Sequence, residues 1–294
     1  MPTVYFDTAF YVALARADDG SASATIEALN SLKVRTVLSR TLFQELVSSA
    51  DRPEKDALLC DRLSALVAPS YVTFPNLTWD ALRVAGETRR VAADALRSVE
   101  STIVEAESAS VLANSPFPHG RRASARDHTI AQQPYMQPDG TIDFAVLGDT
   151  LRPHLALMGV AVPNPFDEAG LQPLLTMLSS RLGSVDMAAM ERKTRLTASV
   201  VATDNRPYEV ILGTASEKSR GKLAHTYRDA AHMEEFAAHS DAVDLFQLDG
   251  PQYELLQRNP DHELRRLGLQ SRCFTARRLD EAVHKVRRLL SPTE

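Results

Sequence analysis

Thr3-Val4-Tyr5-Phe6-Asp7-Thr8 is the stretch whose reading decides the fold. Val4, Tyr5 and Phe6 are three β-formers in a row, which suits a short strand buried on both faces of a parallel sheet. A carboxylate and a hydroxyl follow at once, and then a helical run from Ala9 to Ala17. A strand that ends in Asp at the carboxyl edge of an α/β sheet delivers that carboxylate to the crevice where such sheets take their ligands. Asp is also a good helix cap, and for Asp7 taken alone the cap is the simpler reading. The residues that meet it elsewhere in the chain change that balance.

The strand-then-helix pattern recurs. Val34 to Leu38 alternates and reaches Ser39, ahead of a helix from Leu42 to Ala50 that carries Glu45. Asp56 to Leu66 is a further helix, and Tyr71 to Phe74 a third short strand closed by Pro75. Towards the other end, Val243 to Asp249 alternates and stops at the turn Asp249-Gly250-Pro251. Ser271 to Thr275 is a last strand and Leu279 to Leu290 a closing amphipathic helix. Between these ends the chain reads as helical over Thr78 to Ala113, Leu147 to Met158, Ala169 to Leu182, Met187 to Ala202 and Leu223 to His239. Asn114 to Gly140 is a punctuated, partly basic loop, and Tyr208 to Leu212 a possible strand. The order predicts an α/β fold with a parallel sheet, interrupted by a mostly helical insertion.

Composition narrows the function. With 12 Gly and 6% aromatics in 294 residues, a sheet-rich sandwich or barrel is disfavoured. The net charge of −5 marks no globally basic nucleic-acid binder, although a local basic face stays open. Two cysteines, Cys60 and Cys273, argue against a disulfide framework and a paired-Cys zinc site. No basic region followed by an apolar stretch opens the chain, and no run of about 18 apolar residues occurs. The expectation is a soluble, cytoplasmic protein with no membrane partner. Gly-rich phosphate loops, Ser–His–Asp contexts and His-x-Glu-x-x-His patterns are missing, which disfavours NTPase, serine hydrolase and zinc protease readings.

Four carboxylates fall at element edges: Asp7 and Asp249 after strands, Glu45 on the helix after Ser39, and Asp229 on the long late helix. Clustered carboxylates raise one another's pKa unless a cation neutralises them, and Mg²⁺ and Mn²⁺ take oxygen ligands. Such a set reads as metal-dependent phosphodiester chemistry, in which the ion polarises the phosphate, helps ionise water and steadies the leaving oxygen. Plainer roles exist for each. Glu45 alone is a solvated helix residue, Asp229 a surface partner of Arg228 or Arg220, and Asp249 a turn residue. His232 reads as a packing or supporting histidine, and Glu234 with Glu235 as a solvated face. Arg121 and Arg122 lie in the basic loop, where they can grip phosphates.

Asp7-Thr8 after the first strand, Ser39-x5-Glu45, Arg228-Asp229-Ala230-Ala231-His232 and Asp244-Leu245-Phe246-Gln247-Leu248-Asp249 together resemble the PIN-domain nucleases. The resemblance covers residues 1–85 and 220–294 and leaves 86–219 as the insertion. It implies a Rossmann-like parallel sheet with an acidic pocket at its carboxyl edge, cleaving nucleic acid, RNA ahead of DNA, with Mg²⁺ or Mn²⁺. Asp7, Glu45, Asp229 and Asp249 would be the catalytic, metal-binding residues, the fourth place lying open between Asp241, Asp244 and Asp249. Thr8 and Ser39 would support them by hydrogen bonds, and with Arg121 and Arg122 are candidate substrate contacts. A homo-oligomer or a regulatory protein partner is left open. The competing reading is a catalytically idle scaffold of the same fold that binds RNA or a protein through the insertion. The nuclease reading requires all four carboxylates to converge on one pocket.

Overall fold

β1 (Thr3–Tyr5) lies in the interior of the computed structural model, with Val4, Tyr5 and the following Phe6 all at 0% exposure. Its neighbours are β2 (Arg35–Thr36) on one side and β3 (Leu245–Gln247) on the other, both parallel to it. β4 (Cys273–Phe274) completes a four-stranded sheet of order β2-β1-β3-β4. The structure describes residues 1–48, 53–63, 66, 82–84, 86, 101, 104–109, 111, 135, 137, 141–156, 161–182, 187–201 and 204–291. Many helices accompany the sheet, giving a mixed α/β fold.

Burial on both faces explains the all-apolar run of β1. Phe6 stacks on Phe10 with ring centroids 4.0 Å apart and meets Phe274 edge-on at 6.3 Å, so β1, β4 and the first helix share one aromatic contact. That helix, α1 (Thr8–Arg16), turns Phe10, Tyr11 and Leu14 inward. α2 (Asp19–Ser31) starts on Asp18, whose carboxylate accepts a hydrogen bond from the Ser21 amide at 2.8 Å. α3 (Arg40–Ser48) starts in the same way on Ser39, whose hydroxyl accepts from the Leu42 amide at 3.1 Å. α4 (Pro53–Leu63) packs on α1 and α2.

The later helices are α5 (Phe144–Ala156), α6 (Glu168–Leu182), α7 (Met187–Val200), α8 (Arg206–Ile211), α9 (Glu217–Ala238), α10 (Gly250–Arg258), α11 (Glu263–Arg266) and α12 (Leu279–Leu290). α7 runs against α9, and its Leu196 and Val200 join the same apolar cluster as Val4, Tyr5 and Phe246. Part of segment 86–219 therefore shares the core of the sheet. A separate small cluster of Leu155, Val162, Phe166 and Leu174 ties α5 to α6. There a Cβ on Gly148 would fall 2.6 Å from the Phe166 Cβ, so only glycine lets Phe166 close on α5.

The expected strand at Tyr208 to Leu212 is the helix α8 instead. Pro207 occupies its first turn, where proline's fixed φ favours a helix start, and Gly213 at φ 69 ends it. Helical spacing brings Tyr208 and Ile211 into one buried contact, which outweighs the β-preference of Val210 and Ile211. The expected strand at Tyr71 to Phe74 and most of the loop at Asn114 to Gly140 lie outside the described residues. Among the described residues, no helix is long and apolar enough to cross a membrane.

Candidate functional site at the carboxyl edge of the sheet

All four strands are parallel, so their carboxyl ends share one edge, and the strand order reverses between β1 and β3. Ligand crevices of open parallel sheets lie at such a reversal. Asp7 follows β1 and Asp249 follows β3, which sets the two carboxylates on either side of it. Glu45 arrives on α3, the helix after β2, and Asp229 from the middle of α9. Asp7 and Asp249 are both N-cap residues, but they cap differently. The Asp249 side chain accepts from the Gln252 amide at 2.8 Å, whereas the Asp7 side chain makes no capping bond and its backbone carbonyl accepts from Phe10 N at 3.0 Å. The cap reading of Asp7 is thus set aside by its own geometry.

Glu45 is buried and enclosed by donors. The Thr8 hydroxyl donates to Glu45 Oε2, His232 Nε2 stands 2.9 Å from the same oxygen, and Arg228 Nε is 3.6 Å from Oε1. Burial alone would hinder ionisation of Glu45, but the bond and charge of His232, the Thr8 hydroxyl and Arg228 hold its pKa down at about 2. Behind it, His232 Nδ1 meets the Tyr5 hydroxyl at 2.6 Å. That hydroxyl also meets Ser39 Oγ and donates to Glu235 Oε2 at 2.9 Å, while Glu235 Oε1 accepts from the Thr41 amide at 3.0 Å. A phenol has a single proton, here given to Glu235, so Ser39 Oγ and His232 Nδ1 donate to Tyr5 and Nε2 donates to Glu45. The imidazole then carries both protons. Its pKa is raised accordingly: burial opposes the charge, and the bond to Glu45 with the charges of Glu45, Asp7 and Glu235 outweighs it.

The other acids have no such enclosure. Burial raises the pKa of Asp7 to about 6, with Glu45 and Asp249 pushing the same way against His232. Burial also drives Asp229 well above the carboxylate range, helped by the charges of Asp249, Asp7 and Glu45. Asp249 is raised by burial, partly offset by the Gln252 amide. Glu45 thus acts on Asp7 and Asp229, Asp7 on Asp229, and Asp249 on both aspartates. The expected surface partners of Asp229 turn elsewhere: Arg228 to Glu45 and Arg220 to Glu105 at 2.8 Å. Asp229 instead accepts from Gln252 Nε2 at 3.2 Å, which leaves Gln252 Oε1 buried without a partner beside the acids.

Asp241 and Asp244 sit at the opposite edge. Asp244 is exposed and its carboxylate accepts from the Thr3 amide at 2.6 Å, at the amino end of β1, while Asp241 is exposed in the turn after α9. Among the three candidates for the fourth acid, only Asp249 stands at the carboxyl edge.

Ligand atoms of Asp7, Glu45 and His232 lie within 4.8 Å of one another, close enough to share an ion. Both His232 nitrogens are already bonded, however, so the donors available are oxygens. Oxygen-only donors, carboxyls whose ionisation the protein alone disfavours and the orphaned Gln252 Oε1 fit a hard divalent cation such as Mg²⁺ or Mn²⁺.

Sequence reasoning missed Tyr5, Glu235 and Gln252. Glu235 was expected on a solvated face and instead bonds Tyr5 and Thr41, while Glu234 pairs with Arg192 at 3.2 Å. Gln252 has a signal in the sequence, since Asp249-x-x-Gln252 has capping-box spacing. The Ser39 hydroxyl bonds Tyr5 and the Leu42 amide, so it supports Glu45 through Tyr5 and His232. Arg121 and Arg122 lie outside the described residues. Compared with protein-family models, curated proteins and solved structures, the chain matches none of them.

Proposed function

We propose that this protein is a Mg²⁺- or Mn²⁺-dependent endoribonuclease with a PIN-like, Rossmann-type catalytic sheet. The observation that supports this reading is the closeness of Asp7 to Glu45 at the strand-order reversal, with Asp229 and Asp249 near enough that, after burial, like charges raise the pKa of Asp7 and Asp229. Buried oxygen donors that also repel one another suit an ion-binding role better than a structural one.

Asp7, Asp229, Asp249 and Glu45 would hold the ion, which supplies Lewis acidity towards a phosphate oxygen and lowers the pKa of a bound water. The remaining work falls to the chain. Thr8 and His232 keep the Glu45 carboxylate in one orientation. Gln252 fixes Asp229 through its amide and Asp249 through its backbone N–H. Asp7 and Asp249 are only half-buried, which leaves the edge of the sheet open to a nucleic-acid strand. Lys218 and Lys222 are exposed on the first turns of α9, and Arg121 and Arg122 belong to the basic loop; these are the side chains we assign to phosphate contacts. Segment 86–219 would serve as the insertion that shapes access to the edge.

The test is cleavage of a labelled single-stranded RNA by purified protein in Mn²⁺. Wild type should cut internally, EDTA should stop it, and Asp7→Asn should remove the activity. Equal cutting by Asp7→Asn would refute the assignment.

A further inference from the structure

We infer that Tyr5 and His232 are positioning residues: the Tyr5 hydroxyl fixes the imidazole, and the imidazole fixes the Glu45 carboxylate that faces Asp7. The inference rests on the metal-site reading given above and concerns residues outside the four acids.

Tyr5 is a core strand residue at 0% exposure, with its ring against Phe246 at 5.1 Å and edge-on to His232 at 5.6 Å. Packing would be satisfied by phenylalanine there. A hydroxyl buried at that depth is costly unless it is hydrogen-bonded, and this one has three partners: Ser39, His232 and Glu235. The three come from two places in the fold, for Ser39 precedes α3 and the other two lie one turn apart on α9. Tyr5 therefore ties β1 to the start of α3 and to α9 at a single atom. Glu235 adds a second tie, because its other oxygen accepts from Thr41 in the first turn of α3.

α3 is nine residues long and carries Glu45. Its start is anchored by Ser39 and Thr41, and the side chain of Glu45 by Thr8 and His232. His232 is in turn held at Nδ1 by Tyr5. With both ring nitrogens occupied, His232 has none to offer an ion, and its contribution passes through Glu45. Without the phenol oxygen the imidazole loses its second anchor, and the carboxylate is free to swing away from Asp7. Groups that orient metal ligands in this way typically change metal affinity by about 10- to 100-fold when removed.

The experiment measures Mn²⁺ affinity by electron paramagnetic resonance of the free ion, with folding checked by circular dichroism and no nuclease assay involved. Tyr5→Phe keeps the ring and should weaken Mn²⁺ binding about tenfold. His232→Gln places an amide N–H near the position of Nε2, where it still donates to Glu45 without the Tyr5 anchor, and should lose about tenfold, as Tyr5→Phe does. His232→Asn places the N–H near Nδ1 instead, keeps the Tyr5 contact, leaves Glu45 without its direct donor and should lose more, nearer about 100-fold. Tyr5→Phe binding as wild type overturns the inference. Equal losses in the Gln and Asn variants also overturn it, because they would mean that only the packing of the ring matters. Should Tyr5→Phe fail to fold, the His232 pair decides alone. Wild-type protein that binds no Mn²⁺ would remove the metal-site reading itself, whereas binding by wild type with all three variants unchanged would remove only this inference.

Discussion

Glu45 and Asp229 stand at the same edge of the sheet, yet Glu45 is enclosed by Thr8, His232 and Arg228 while Asp229 is pressed by Asp7, Asp249 and Glu45. One carboxyl is held at about 2 and the other is driven well above the ordinary range. The Glu45 wall meets counter-charge from Arg228 and His232 of α9 and is held ionised without an added ion. The aspartate wall, at the ends of β1 and β3 and on α9, ionises against burial and against the charge of its neighbours, which a bound cation would relieve. A pocket can thus have one side that supports the fold and another that the fold must tolerate.

The largest effect should come from the tolerated side. Asp229→Asn should lower Mn²⁺-dependent RNA cleavage by about 100-fold or more, which corresponds to about 2.7 kcal/mol of barrier. The same variant in EDTA at pH 7 should melt at a higher temperature than wild type, since the cost of keeping that carboxyl buried, as a proton taken up or as a charge among like charges, is gone. A lower melting temperature would make the two walls alike. Glu45→Gln should do the reverse to stability. It strips the carboxylate from buried His232 and from Arg228, and urea unfolding should show a loss of about 3 kcal/mol. A loss under about 1 kcal/mol would mean that the enclosure is incidental.

Acidity gives a third way to separate the walls. Asp7 is raised from an ordinary 3.8 to about 6, so its contribution to stability is fully present below pH 3.8 and is lost as pH rises through 6. Glu45 is lowered from 4.5 to about 2, so its contribution is present above pH 4.5 and is lost as pH falls through 2. In EDTA, Asp7→Asn should therefore be more stable than wild type by up to roughly 2–3 kcal/mol above pH 6, with the gap closing towards pH 4. A gap that does not vary with pH would contradict the assignment. The smallest effect belongs to Asp244→Asn, at the far edge. Mn²⁺ binding and cleavage should change by less than about twofold, and stability should drop by about 1 kcal/mol through the weakened bond to the Thr3 amide. A large loss of Mn²⁺ affinity would move the fourth ligand away from Asp249.

Asp7 and Asp249 were legible in the sequence for a local reason: each follows a short β-forming run and precedes a helix, and that order alone places a carboxylate at a strand end. The helix α12 was read with both of its ends, because its apolar stripe repeats over a full 12 residues. α8 was misread because Val210 and Ile211 carry β-preference, whereas Pro207 and Gly213 set the backbone. Tyr5 was read as one more apolar strand residue. Its hydroxyl acquires meaning only when His232, 227 residues away, and Glu235, 230 away, are folded against it. Glu235 likewise looked solvated because its partners, Tyr5 and the Thr41 amide, belong to distant elements. Strand ends and amphipathic stripes are local properties. Networks that cross elements are not.

The central place of β1 has a consequence for how the protein comes into being. β1 can pair early with β2, about thirty residues on, but its other neighbour is remote: Thr3 bonds to Asp244 across 241 residues. Ordering that contact requires closure of nearly the whole chain, the kind of non-local pairing that slows folding. During synthesis at about 5–20 residues per second, the first strand waits on the order of 10–50 s for its partner to leave the ribosome. Asp7 and Glu45 are made early, Asp229 and Asp249 late. A nascent chain therefore carries only half of the acidic edge until β3 docks.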